Sequence, residues 1–193
     1  MPRMADGKVS SDEEDKMEFK WQSESTSNVP HDLWEDKGAN LKRFKQFLGG
    51  GGAGIKMEEV RRYVLPIQAL KNDEKVVSLV ILARRTSSGW KFSEGESDDG
   101  CIQPAVLEWE DRKLVMMASC EDGSRRVYMA DEEGSRWTEE YDTLSRVWGN
   151  SLARKGHGVQ GGFVSATING QKVILVSRPV YSGTNGKETG RLH

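Results

Sequence analysis

Gly49-Gly-Gly-Gly-Ala-Gly54 satisfies the spacing G-x-G-x-x-G, which in the right setting lets backbone amides hold a pyrophosphate at a helix N-terminus. That chemistry requires a buried parallel strand before the run and a crossover helix after it. Lys42-Arg-Phe-Lys-Gln-Phe-Leu48 is a poor buried strand, and the helical possibility at Met57–Arg62 is a single short segment. Ile55 also stands where a phosphate-binding P-loop needs Lys directly after Gly54. No nucleotide site is expected, and the run reads as a close-packed turn leading into an inner strand. His31, His157 and His193 are scattered, with neither HExxH nor Cys-His spacing, so neither a metal site nor a cofactor is expected. Cys101 and Cys120 are too few for a disulfide scaffold or a metal-ligand set, and both pairing and two free thiols stay open. Lys42, Arg43 and Lys45 form a basic cluster, as do Arg61-Arg62, Arg84-Arg85 and Arg125-Arg126. Each reads as a solvated strand face or hairpin edge. With a net charge of −2 there is no concentrated basic face for a nucleic acid. The six tryptophans could stack on sugars, but Trp109 alternates with apolar neighbours and reads as core.

The elements that would position these residues are strands. Tyr63-Val-Leu-Pro-Ile-Gln-Ala-Leu70 pairs through residues 71–75 with Val76-Val-Ser-Leu-Val-Ile-Leu82. Ala105-Val-Leu-Glu-Trp109 pairs through residues 110–113 with Leu114-Val-Met-Met-Ala118, and Asp122-Gly123 turns the chain into Arg125-Arg-Val-Tyr-Met129. Phe163-Val-Ser-Ala-Thr-Ile168 pairs with Lys172-Val-Ile-Leu-Val176 through Asn169-Gly170, the strongest short hairpin signal. Trp90 and Trp137 are 47 residues apart, each following the outer strand of its unit, close to the repeat of a propeller blade. With 36% hydrophobic residues in a length of 193, the chain can bury one modest core or part of a larger one.

Ala130-Asp-Glu-Glu-Gly-Ser-Arg-Trp137 resembles the sialidase Asp-box, Ser-x-Asp-x-Gly-x-Thr-Trp, in worn form. Gly134 and Trp137 stand, Glu132 replaces the Asp, and Ala130 and Arg136 replace the hydroxyl residues. In such a box a carboxylate caps turn amides, Gly takes positive φ and Trp packs beneath. Thr86-Ser-Ser-Gly-Trp90 is a more degraded version. Further segments resemble the trypanosomal trans-sialidase superfamily in order: Phe47-Leu-Gly-Gly-Gly-Gly-Ala-Gly-Ile55, Tyr63-Val-Leu-Pro-Ile-Gln68, the stretch Ser93–Trp109, Arg125-Arg-Val-Tyr128 and Thr143-Leu-Ser-Arg-Val-Trp-Gly149. The resemblance runs from Phe47 to His193, with a weaker match before it. It implies an all-β chain, a partial sialidase-type β-propeller of three to four antiparallel blades from a six-bladed ring. Residues 47–193 form that domain. Residues 1–46, with Asp12-Glu-Glu-Asp15 and Ser23-Glu-Ser-Thr-Ser-Asn28, read as a poorly ordered polar leader by composition. The resemblance instead makes them a remnant of an earlier blade, which Met17-Glu-Phe-Lys-Trp21 suits by alternation.

The resemblance also implies where catalysis would sit. Sialidases use a Tyr nucleophile, in this family with a Glu as its base, an Asp as acid/base and three Arg residues on the sialic-acid carboxylate. The Glu of the family's Gly-Cys-Ser-Glu-Pro falls at Gln103, which cannot accept a proton. The second clamp Arg falls at Ser119. The third falls close to Thr189, with Arg191 two residues on. The Asp and the first clamp Arg belong to segments upstream of this stretch, and the Tyr and a lectin-like domain to segments downstream. A fragment of a catalytically inactive surface protein is therefore expected, derived from an adhesin for sialylated glycans or host surface proteins. The competing readings are an active exo-α-sialidase or trans-sialidase, and a truncated relic without independent function. The family is a cell-surface and secreted one. The chain shows no secretory h-region, no hydrophobic tail, no Asn-x-Ser/Thr sequon and no apolar run of roughly 18 residues that could span a membrane.

Overall fold

The computed structural model describes residues 3–11, 17–28, 41–50, 52–84, 90–140, 145, 147–148, 156–184 and 187–192. Asp12–Asp15, His31, Thr86–Gly89, His193 and much of the Thr143–Gly149 motif lie outside the described residues. Strand pairing is antiparallel throughout them.

The first sheet contains β3 (Phe44–Leu48), β4 (Ile55–Met57), β5 (Arg62–Lys71), β6 (Val76–Arg84) and β7 (Trp90–Phe92), ordered β3-β5-β6-β7 with β4 also on β5. The second contains β8 (Cys101–Glu108), β9 (Leu114–Cys120), β10 (Ser124–Ala130), β11 (Thr138–Glu139) and β12 (Val147–Trp148), with β8-β9-β10-β11 as its path and β12 on β10. Before them comes a hairpin of β1 (Arg3–Ser11) and β2 (Met17–Asn28). After them come β13 (Phe163–Ile168) with β14 (Gln171–Val176), and β15 (Pro179–Thr184) with β16 (Lys187–Leu192). The hairpins expected from alternation and turn residues form as written, and Asn169 and Gly170 take φ 52° and 76° in their turn. Two expectations change. The stretch before residue 46 carries a strand pair rather than a poorly ordered leader, and Met17–Trp21 lies in β2. Met57–Arg62 makes a turn between β4 and β5 rather than a helix, because Met57 and Arg62 already pair across the ladder.

Apolar alternation makes the sheets stack. Met57, Val64, Val80 and Leu82 of the first sheet meet Val106, Leu114, Met116, Tyr128 and Trp137 of the second. The other face of the second sheet, with Val115, Met117 and Val127, meets Phe163, Ile174 and Val176 of the β13–β14 hairpin. Covered on both faces, β9 is buried at every position, which is why Leu-Val-Met-Met-Ala-Ser-Cys reads as a continuous run instead of alternating. The remaining face of β13–β14 presents Val164, Ile168 and Leu175 at 54%, 49% and 46% exposure.

The glycine run has a specific cause. β3 and β4 lie along the same side of β5, and residues 49–54 bulge between them opposite Leu65, Pro66 and Ile67. Val80, opposite Pro66 on β6, turns its own N–H and C=O toward Ser93. By the alternation of antiparallel ladders, Pro66 therefore faces the glycine side, where it has no N–H to give. The chain crosses that gap so closely that a carbon added to Gly50 would lie 1.8 Å from the Pro66 carbonyl oxygen.

Candidate functional site

Two of the positions singled out by the resemblance, Gln103 and Ser119, lie at one end of the second sheet. Gln103 lies near the start of β8, in a bulge between Ile102 and Ala105, with φ 55°. A left-handed conformation costs a residue of this type about 1–2 kcal/mol, so neighbouring contacts must hold it. The Gln103 N–H donates to Gln68 Oε1 at 3.0 Å, and Gln68 Nε2 donates to the Gly49 carbonyl at 2.7 Å. These bonds tie the bulge to β5 and to the glycine run of the first sheet. The Gln103 Oε1 is buried with no hydrogen-bond partner. Ser119 lies opposite Ile102 in the same ladder, one pair in from its Cys101–Cys120 end, and is 3% exposed. Thr189 and Arg191 lie in β16, opposite Ser182 and Val180, and Arg191 is exposed. Gln103 and Ser119 are thus brought together, while Thr189 and Arg191 belong to a separate hairpin.

Cys101 and Cys120, left open by the sequence, face each other across β8 and β9 with Cα atoms 4.0 Å apart and form a disulfide. The Tyr128 hydroxyl contacts Cys101 Sγ at 3.5 Å and donates to Asp98 Oδ2 at 3.1 Å. Burial pushes the Tyr128 phenol far above its usual range. Asp98 and Asp122 both pair with Arg126, at 2.6 and 2.7 Å. Burial works against ionisation of Asp122, but hydrogen bonds from Ser124 and Arg126 outweigh it and bring the carboxyl down to about 2.

Two of the basic pairs expected to be solvated each send one arginine inward. Arg62 is 3% exposed and donates to the Glu132 carbonyl and the Glu133 carboxylate. Arg125 is equally buried, opposite Ser119 on the face turned toward β13–β14. Arg125 and Arg126 are adjacent in β10 and so point to opposite faces, which turns Arg125 toward β13–β14.

The turn after β10 keeps the shape of the box but not the carboxylate assigned to it. Asp131 Oδ1, not Glu132, accepts from the N–H groups of Glu133 at 3.1 Å and Ser135 at 2.9 Å. The short Asp side chain reaches the amide two residues ahead, while Glu132 extends to Arg112 Nε at 3.1 Å. Gly134 has φ 62°, and Trp137 is 8% exposed in the core between the sheets. Glu133 binds Lys91 and Arg62 across the sheet boundary, and these contacts, Lys91 first, bring its carboxyl down to about 2. Trp90 opens β7 as Trp137 directly precedes β11, so the two occupy matching places beside the outermost strands.

Between β4, β8 and β13 runs a groove of about 780 Å³, with Lys56, Glu108, Gln160 and Lys172 as polar lining and the backbones of Gly52–Gly54 and Gly161–Gly162 along its sides. Burial raises the Glu108 carboxyl, opposed by Lys172. Lys172 also lies 5.3 Å from the ring of Trp109, which packs against the core as expected. No cluster of three or more His, Cys, Asp or Glu side chains suited to a metal ion occurs among the described residues.

Residues 3–193 match the family model described as BNR repeat-like domain. The chain belongs to the sialidase and trans-sialidase superfamily. It is 36% identical over 135 residues to a sialidase of Trypanosoma cruzi, covering 70% of this chain and 11% of that protein. It is 34% identical over 165 residues to sialidase 85-1.1 of the same organism, covering 80% and 21% respectively. Its fold superposes on Trypanosoma rangeli sialidase in complex with sialic acid with a TM-score of 0.69 and 29% identity, over 91% of this chain and 27% of that one. This superfamily chain is therefore a partial sialidase β-propeller spanning a small part of its relatives' length.

Proposed function

We propose that this chain is a catalytically inactive module of the superfamily, derived from a surface adhesin for sialylated glycans or host surface proteins. Residues 47–193 make its partial propeller domain, and residues 1–46 are a remnant of an earlier blade. The reading rests on Gln103, which the resemblance puts at the family's base position and which lies in a bulge held by Gln68 and the glycine run. A carboxamide cannot take a proton from a nucleophile, and losing general-base assistance costs about 10²–10⁴ in rate. Ser119 offers a single hydroxyl where a carboxylate clamp needs the planar arginine fork. The groove between β4, β8 and β13 leaves room for binding without turnover.

The test is turnover of a fluorogenic sialoside and transfer of sialic acid to lactose by the 193-residue chain, alongside binding to a sialylated-glycan array. Binding without turnover is expected. Turnover above a heat-killed control would make the chain an active sialidase and overturn the proposal, and so would loss of all binding to both sialylated glycans and host-cell proteins.

A further inference from the structure

Two hairpins, one early and one late in the chain, are half-built sheets. The first and second sheets each run four strands along their path, whereas β13 and β14 pair only with each other, and so do β1 and β2. β15–β16 is a separate hairpin, and among the described residues no strand lies on the far edge of β14. Ser177, just past β14, donates its N–H back to the Gly162 carbonyl. By ladder alternation the N–H groups of Ile174 and Val176 therefore point to that far edge. The hairpin is also apolar on both faces: Phe163, Ile174 and Val176 meet the second sheet, and Val164, Ile168 and Leu175 are exposed on the other side. An apolar edge beside an apolar face is a template for strand addition.

The same chain carries the matching parts. In both complete sheets chain order runs along the path, as β5-β6-β7 and β8-β9-β10-β11. Continuing β13-β14 in that way calls for two more antiparallel strands, which is what β1–β2 supplies. At 9 and 12 residues, β1 and β2 are long enough to span the six-residue edge of β14. The first sheet offers a covering face: alternation turns Tyr63, Leu65, Ile67 and Ile81 away from the second sheet, Tyr63 exposed and the other three half-buried. This face and the outer face of β13–β14 lie at opposite ends of a three-layer stack. Within one copy they do not meet, so the occupant of each is a second copy.

We propose that two copies of this chain associate about a two-fold axis, with β1–β2 of each completing the β13–β14 sheet of the other and the far face of its first sheet covering it. β1 takes the place beside β14, and β2 the outermost place. Two whole sheets and two half sheets make three per copy. Propellers close with about 4–8 sheets, so two copies, supplying six, fit a ring, and three copies, supplying nine, exceed it. At about 3.3 Å per residue, 4.8 Å per strand and 10 Å between sheets, the face and the edge of a six-residue hairpin each cover roughly 200 Å². With both partners counted, one junction buries roughly 800 Å² and the two together roughly 1,600 Å², the size of a stable interface. A single junction is the size of a weak contact, so closure favours the dimer over an open chain of copies.

The experiment is light scattering on the 193-residue chain after size exclusion, from low to high micromolar concentration, with amide hydrogen exchange alongside. A mass twice that of one chain is expected, and exchange at Ile174 and Val176 should slow as the dimer forms. Ile168→Lys puts an unpaired ammonium into both junctions and should weaken the dimer at least about a hundredfold, about tenfold for each. Tyr63→Glu should do the same from the other side. Mixing the two variants leaves one junction unaltered and sets opposite charges across the other, so a weaker heterodimer should return. Should a variant fail to fold by circular dichroism, exchange in the unaltered chain decides, because β14 gains a second ladder only by strand addition. A monomer at every concentration, a mass that keeps growing, a dimer indifferent to Ile168→Lys, or unchanged exchange at Ile174 and Val176 overturns the proposal. A dimer lost in Ile168→Lys but kept in Tyr63→Glu also overturns it, and marks two β13–β14 faces packed on each other.

Discussion

The turn after β10 allows a direct contest between a motif position and a structural one. By motif, Glu132 is the capping carboxylate, and by geometry it is Asp131, whose Oδ1 accepts two backbone N–H groups at 3.1 and 2.9 Å. Hydrogen bonds to a charged acceptor are worth about 1.5–3 kcal/mol each when shielded, and Asp131 is exposed, so the value for a helix cap, about 0.5–2 kcal/mol, is the better guide. Asp131→Ala should thus cost about 1–2 kcal/mol, and since about 1 kcal/mol moves the midpoint of a chain this size by about 2–4 °C, Tm should fall by about 2–8 °C. Glu132→Gln breaks only the pair with Arg112, whose side chains are 29% and 52% exposed. Such a pair is worth about 0–1 kcal/mol. Asp131→Asn, which keeps an acceptor oxygen, should fall between the two. The assay is thermal unfolding by circular dichroism on the three variants, with urea midpoints as a check. If Glu132→Gln costs more than Asp131→Ala, the capping assignment is wrong.

Gly50→Ala should destabilise by at least about 1–3 kcal/mol because its added carbon meets the Pro66 carbonyl at 1.8 Å, whereas Gly49→Ala, with nothing within 4 Å, should stay within about 0.5 kcal/mol, both by urea denaturation. Removing the Cys101–Cys120 link, which spans 19 residues, should lower stability by about 3 kcal/mol, and an unchanged urea midpoint in the double Cys→Ala chain would show that the link contributes little. Glu133 has a depressed carboxyl, held near 2 by Lys91 of β7 and Arg62 of β5. Its contribution is present above the ordinary Glu range near about 4 and is lost as pH falls toward about 2. Glu133→Gln should therefore flatten the decline in urea midpoint between pH 5 and pH 2.5, and an equally steep decline would refute the assignment.

The strands were legible because their signals are local. A period of two and turn pairs such as Asn169-Gly170 act over a few residues, so β5–β6, β8–β9 and β13–β14 follow from sequence order. Other features depend on what the sheets bring together. The bulge at Gln103 changes the register between Ile102 and Ala105, and that register sets Cys101 opposite Cys120. Sequence alternation says that Arg125 and Arg126 point to opposite faces, but not that both faces are covered. Stacking of β13–β14 on the second sheet makes Arg125 the buried one, while Arg126 meets Asp98, 28 residues away in sequence. The same holds for the capping carboxylate. Asp131 and Glu132 are chemically alike and adjacent, and the difference between them is reach: Asp131 closes its own turn, and Glu132 finds Arg112 on the β8–β9 connection. Local periodicity determines that a strand forms and where it turns, while packing between sheets determines which of its polar groups lose water and must find partners.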